Sequence, residues 1–168
     1  TYTSGDNSTQ LVFEYTIQAT GTSGENDSNG ISIDANAIAL NSGTIRDVAG
    51  NDGTLTHSAV DNNSSYKVDT ILPTLNSVAI TGAQGDQNSF LNATDNVSVT
   101  ATFSEAVIVA SGTPELTLAV GSDNRTARHT SGDNSTELVY RYTIRSGDND
   151  TNGISIRANA LDNSSSTI

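Results

Sequence analysis

Apolar and polar residues alternate along several short stretches of this chain. Leu11, Phe13, Tyr15 and Ile17 fall on one face, and Val12, Glu14 and Thr16 on the other. Leu138, Tyr140, Tyr142 and Ile144 repeat that face. Val97, Val99, Ala101 and Phe103 alternate with Ser98, Thr100 and Thr102, and Leu116, Leu118 and Val120 form another inward row. A period of two is the signature of a half-buried β-strand. Residues 75–80 read as a further strand, and Gly, Asn, Asp and Ser clusters between the rows supply turn chemistry. Only 104–109 and 34–40 admit a helical turn. Many short strands at this spacing predict an all-β sandwich.

The chain also repeats itself. Thr3-Ser4-Gly5-Asp6-Asn7-Ser8-Thr9 returns as Thr130-Ser131-Gly132-Asp133-Asn134-Ser135-Thr136, and Leu11-Val12 and Tyr15-Thr16-Ile17 return as Leu138-Val139 and Tyr142-Thr143-Ile144. After a four-residue deletion, Asn29-Gly30-Ile31-Ser32-Ile33 matches Asn152-Gly153-Ile154-Ser155-Ile156, and Ala35-Asn36-Ala37 matches Ala158-Asn159-Ala160. In all, 26 of 39 aligned positions are identical. The period, about 125 residues, is too long for a solenoid repeat of about 20–50 and fits a whole β-sandwich domain. The 168-residue chain therefore reads as a window cut from a tandem array, out of phase with its domains. A boundary is expected near Asp69, because Pro73 holds the backbone extended and biases Leu72 the same way. Residues 1–69 then form the C-terminal part of one repeat and 70–168 the N-terminal part of the next. The second part lacks a counterpart of 46–69, about two strands.

Composition narrows the function. Thr, Ser, Asn, Asp and Gly make up 54% of the residues. The net charge of −12 has the wrong sign for a nucleic-acid surface. No apolar run approaches the ~20 residues of a membrane helix. With no Cys there are no disulfides and no thiolate zinc sites. Thr1 opens directly into polar sequence without a secretion leader, which fits an internal piece of something larger.

The residues gathered so far carry a resemblance. Gly30-Ile31-Ser32-Ile33 with Ala35-Asn36-Ala37, then Asp47-Val48-Ala49-Gly50-Asn51, Leu55-Thr56-His57 and Tyr66-Lys67-Val68-Asp69-Thr70 follow one another in a specific order. Phe103-Ser104-Glu105-Ala106-Val107 and Gly112-Thr113-Pro114-Glu115-Leu116 continue it. This order resembles the tandem Ig-like repeats of giant bacterial surface adhesins of the RTX type, exported by type I secretion. The resemblance implies an Ig-like β-sandwich, an extracellular location at the bacterial cell surface, and calcium-stiffened extender domains. Ile71-Leu72-Pro73 departs from the family, which usually has Thr-Ala-Pro there. It implies neighbouring repeats of the same chain as partners, other copies among the alternatives, and neither nucleic acid nor membrane insertion. The surface ligand is not identified.

Calcium (Ca2+) is the candidate cofactor. Asp148-Asn149-Asp150-Thr151-Asn152-Gly153 fits the opening of a calcium loop, in which oxygen ligands at alternate positions converge where Gly permits a sharp turn. Glu25-Asn26-Asp27-Ser28-Asn29-Gly30 has the same spacing. The candidate ligands are Asp148, Asp150 and Asn152, and Glu25, Asp27 and Asn29. Position 12 of an EF-hand is a bidentate Glu, but here it is Asn159, so no EF-hand is present. The competing reading is an Asx-rich hairpin turn. A second set, Asp47, Asn51, Asp69 and Asp95, is placed at the domain junction, where gathered carboxylates repel unless a cation bridges them. The resemblance implies junction ligands in Asp47, Asp69 and Asp95; the competing reading is solvated surface acids.

Enzyme chemistry finds little support. His57 and His129 are the only histidines and neither has a fixed partner in sequence. Glu105 and Glu115 have nothing to orient them as a glycosidase pair. The expected function is a structural extender of a cell-surface adhesin. The alternatives are a glycan- or ice-binding module using outward Thr rows, and a filament subunit assembled by strand complementation.

Overall fold

The computed structural model describes residues 1–18 and 25–162. The expected end of the recurring stretch, 163–168, lies outside them. The chain divides into two compact units, Thr1–Leu72 and Pro73–Ile168. All strand pairing is antiparallel, and no described residue is helical. The all-β expectation is met. Residues 104–107 extend a strand, and 34–40 hold a turn at 35–36 and are otherwise irregular, so neither stretch uses its helical option.

Among the described residues the first unit holds six short strands in three pairs. β1 (Tyr2–Ser4) pairs with β2 (Val12–Phe13), β3 (Asn26–Asp27) with β6 (Val68–Asp69), and β4 (Ile31–Ile33) with β5 (Val60–Asn63). The described residues of the second unit form one six-stranded sheet. Its members are β7 (Leu75–Gln84), β8 (Asn96–Val107), β9 (Glu115–Val120), β10 (Asp123–Ser131), β11 (Ser135–Thr143) and β12 (Ser155–Asp162). Their order is β12-β9-β10-β11-β8-β7, and the sheet curls enough that its two edge strands approach each other.

The alternation read from sequence sets the core of the second unit. Val97, Val99, Ala101 and Phe103 on β8, Leu116, Leu118 and Val120 on β9, and Leu138, Tyr140 and Tyr142 on β11 are all buried. Successive side chains on a strand point to opposite faces, so each row turns one complete side inward. Cross-strand register aligns these rows: Leu138 lies opposite Ala101, Tyr140 opposite Val99 and Tyr142 opposite Val97.

The recurring stretch makes the same local structure in both units. In the β1–β2 turn, Ser8 Oγ donates to the carbonyls of Gly5 and Gln10 and accepts from Gln10 N. In the β10–β11 turn, Ser135 Oγ does the same with Gly132 and Glu137. Asn7 and Asn134 both adopt left-handed backbone, at φ 57° and 64°. Gly5 and Gly132 both sit at positive φ with a carbonyl where a Cβ would stand, which requires glycine.

Burial separates the two copies. Leu138, Tyr140, Tyr142 and Ile144 are between 0% and 6% exposed, whereas Leu11, Phe13, Tyr15 and Ile17 are between 38% and 69% exposed. The same apolar row is core in one unit and surface in the other. In the second unit β11 lies against the long strand β8; in the first, among the described residues, β2 is paired only with the three-residue β1.

Tyr140 carries one cost of its burial. Its hydroxyl has no hydrogen-bond partner, and burial pushes its pKa up to about 12. Its counterpart in the recurring stretch is Phe13. An orphaned buried hydroxyl forfeits its hydration. Tyr140→Phe is therefore expected to raise stability by up to about 1 kcal/mol in urea denaturation. A folded-state pKa above that of the unfolded chain gives stability that is full below pH ~10 and lost as pH rises towards the folded value. The substitution removes this residue's share of the alkaline loss. A destabilisation above about 1 kcal/mol contradicts the assignment.

Candidate functional site

The two predicted calcium loops turn out to share an internal clamp built on the recurring stretch. In the second unit, β11 ends at Thr143 and a short turn brings Asp148 back beneath Tyr142. Asp148 Oδ2 accepts from Tyr142 Oη at 2.6 Å and from Arg145 N at 2.8 Å. Its Oδ1 accepts from Arg125 Nε at 2.7 Å, and the side chain is 2% exposed. Arg125 also reaches Asp123 at 2.8 Å. Burial opposes ionisation of Asp148, but the hydrogen bonds from Tyr142, Arg145 N and Arg125 outweigh it and hold the carboxyl below its ordinary range. Burial and the bond to Asp148 raise the Tyr142 phenol in turn.

The first unit repeats this arrangement at the aligned positions. Tyr15 Oη donates to Glu25 Oε1, and Gln18 N donates to Glu25 Oε2 at 2.9 Å. The phenol and then the Gln18 amide hold the Glu25 carboxyl low. Tyr15 aligns with Tyr142, Gln18 with Arg145 and Glu25 with Asp148. A tyrosine at the end of a strand thus fastens an acid that follows it, with a backbone N–H three residues further on. The longer reach of Glu accompanies the longer connection in the first copy. Arg125 joins the clamp of the second unit from β10.

The second acid of each loop makes an Asx turn. Asp27 Oδ1 accepts from Asn29 N at 3.2 Å and Gly30 N at 2.8 Å. Asp150 Oδ1 accepts from Asn152 N at 3.1 Å and Gly153 N at 2.8 Å. Gly30 and Gly153 share a φ near 105°, being 107° and 104°. Asp150 Oδ2 also takes Gly121 N at 2.8 Å, which ties the loop to the β9–β10 turn and lowers its carboxyl pKa, with the other amides contributing. The side chains of Asn29 and Asn152 close neither turn; their amide N–H groups do.

Of the remaining predicted ligands, Asp47 and Asn51 share one turn, Asp69 ends β6 opposite Asn26, and Asp95 immediately precedes β8. Asp47 closes its own tight turn: Oδ1 accepts from Ala49 N and Asn51 N, and Oδ2 from Asn51 Nδ2 at 2.8 Å. These bonds, the Asn51 side chain first, hold it low. Asp69 Oδ1 accepts from Ile71 N at 3.1 Å. Asp95 Oδ2 accepts from Asn92 N at 2.6 Å. Among the described residues, no three of His, Cys, Asp and Glu converge as a metal site.

The donor chemistry decides how calcium fits. Asp148 does not suit a calcium cage: a guanidinium lies 2.7 Å from one oxygen and two donors fill the other. A divalent cation there would have to displace an arginine. Asp27 Oδ2 and Asp69 Oδ2, by contrast, face no protein donor among the described residues.

The groups considered for catalysis are engaged or isolated. Ala37 N donates to His57 Nε2 at 2.9 Å, while Nδ1 lies 2.7 Å from Ser58 O, so both ring nitrogens are engaged. His129 packs edge-on to Tyr140 with Nε2 unpartnered. Glu115 is ion-paired with Arg128 at 2.6 Å, and Glu105 Oε1 is buried without a partner. No nucleophile–base pair forms from them.

Sequence reasoning missed the tyrosines and Arg125. A signal was present: both aligned copies keep a Tyr and an acid at matching positions. No protein-family model, curated protein or solved structure matches this chain.

Proposed function

We propose that this chain is a structural extender from the stalk of a bacterial cell-surface adhesin, built of Ig-like β-sandwich repeats and exposed outside the cell. The observation that carries the reading is the recurring clamp. Two stretches offset by 127 residues, and by 123 after the four-residue deletion, build the same hairpin, the same tyrosine–carboxylate fastening and the same Asx turn. Nearly every predicted functional acid is used to close a loop rather than to face a substrate. Repetition of a locked module serves length and stiffness. It serves catalysis poorly, because chemistry needs one distinct constellation rather than copies.

Calcium belongs to this reading through acids other than Asp148. In the first unit these are Asp27, Asp47 and Asp69, and in the second Asp95 and Asp150, with Asn side chains and backbone carbonyls as further oxygen donors. Extracellular modules bind calcium with dissociation constants of about 0.1–1 mM. At 10 mM calcium and a Kd of about 1 mM, the linkage is worth about 1.4 kcal/mol, or a Tm rise of roughly 6–10 °C. Scanning calorimetry with calcium and with chelator reads this directly. Superimposed transitions remove calcium from the account and leave the clamp as the source of stiffness. The extender role itself is tested by joining two copies of the chain in tandem and measuring how particle length grows.

A further inference from the structure

We propose that the Asx turns protect this chain from chemical ageing. Asp27 and Asp150 hold the glycine amides of Asn29-Gly30 and Asn152-Gly153, and so block the cyclisation by which an Asn-Gly pair loses ammonia. This holds whether or not the chain forms a stalk.

The chemistry needs only the chain itself and water. The backbone nitrogen that follows an asparagine gives up its proton and attacks the side-chain Cγ. A C–N bond forms, the side-chain nitrogen leaves as ammonia, and a succinimide ring closes. Water then opens either carbonyl of the ring. One opening gives aspartate; the other gives isoaspartate, in which the main chain runs through the side-chain carbon. Glycine in the following position favours attack, because it has no Cβ to crowd the nitrogen and reaches the required backbone angles freely.

The chain has 18 Asn, but Asn or Asp precedes glycine at only three places, Asn29-Gly30, Asp52-Gly53 and Asn152-Gly153. At all three the attacking nitrogen is occupied at 2.8 Å. Gly30 N donates to Asp27 Oδ1, Gly153 N to Asp150 Oδ1, and Gly53 N to the carbonyl of Ile45. Each nitrogen must break that bond before it can lose its proton and attack. In the two Asn turns the same oxygen also accepts from the asparagine's own amide, Asn29 N at 3.2 Å and Asn152 N at 3.1 Å. One carboxylate thus pins the backbone on both sides of the reactive side chain. Its charge adds to the effect, since a neighbouring anion opposes deprotonation of an amide. Asn29 and Asn152 are themselves exposed. Shielding from water therefore does not account for protection, and the pinned amides do.

The position of these pairs gives the protection its value. An isoaspartate lengthens the main chain by one carbon just ahead of β4 and β12, where the direction of every side chain depends on register.

The two copies control one another in the test. Wild type, Asp150→Ala, Asp150→Asn and Asp27→Ala are incubated at mildly alkaline pH with chelator, and isoaspartate is read by peptide mapping and mass spectrometry. In guanidinium Asn29 and Asn152 are expected to convert at similar rates, and in the folded wild type both convert far more slowly. Asp150→Ala is expected to speed Asn152 about tenfold, the rate factor of one lost hydrogen bond. Asn29 should not change, nor Asn134, which lies in the β10–β11 turn and reports unfolding of the second unit. Asp27→Ala should speed Asn29 alone. Asp150→Asn keeps an oxygen acceptor and should retain most of the protection. The proposal is overturned if Asn152 converts as fast in the folded wild type as in guanidinium, if Asp150→Ala leaves its rate unchanged, or if that variant speeds Asn134 as much as Asn152.

Discussion

Leu138→Ala is expected to destabilise the second unit by about 3 kcal/mol, while Leu11→Ala costs less than about 1 kcal/mol. The two leucines occupy the same place in a recurring sequence, so intrinsic strand preference cancels in the comparison. What differs is the surroundings: Leu138 is fully buried beside Ala101, and Leu11 is 38% exposed. Truncating a buried leucine loses its transfer free energy and leaves a cavity, together about 2–5 kcal/mol. Truncating a surface leucine loses little of either. Urea denaturation followed by far-UV circular dichroism reads both values, since the chain has no tryptophan. Equal losses would mean that the first unit hides its apolar row in solution.

Asp148→Ala carries the second large effect, about 2–3 kcal/mol, because it leaves the buried Tyr142 hydroxyl without its acceptor and takes a carboxylate from the partly buried Arg125. Tyr142 is 2% exposed, and its hydroxyl would lose its acceptor. Arg125 Nε and Arg145 N would lose theirs as well. Removing one member of a buried, hydrogen-bonded charge network costs more than the network contributes, since the others remain desolvated. Asp148→Asn keeps the shape and loses the charge, so an intermediate loss is expected. The pH dependence follows the direction of the shift. The carboxyl is held below its unfolded value, so its contribution is full above about pH 4–5 and disappears as pH falls through the folded value. In Asp148→Ala that part of the acid sensitivity is absent. Wild-type and variant curves that stay parallel from pH 6 down to pH 2 would contradict the clamp.

The strands of the second unit were legible because alternation is a local property. Val97 to Phe103 and Leu138 to Ile144 each announce a face, and a continuous sheet gives each face something to cover. The same alternation in Leu11 to Ile17 announced a face equally well, but alternation states direction and not coverage. Whether an apolar row is core depends on strands far away in sequence. The acids show a similar limit. The spacing of Asp148, Asp150 and Asn152 suits calcium and also suits an Asx turn, because both need oxygens and a glycine in a tight bend. Arg125 distinguishes the two for Asp148, and it sits 23 residues away on β10. Asp47 and Asn51 are engaged with each other inside one turn, a pairing visible in their spacing once the turn is known.

The stalk reading rests on extension, and small-angle scattering of one and two tandem copies of the chain tests it most directly. A stalk of repeated locked modules predicts a maximum dimension that close to doubles when the second copy is added. A chain that collapses into one globule grows only about 1.3-fold in size when its length doubles, and growth of that order would contradict the account.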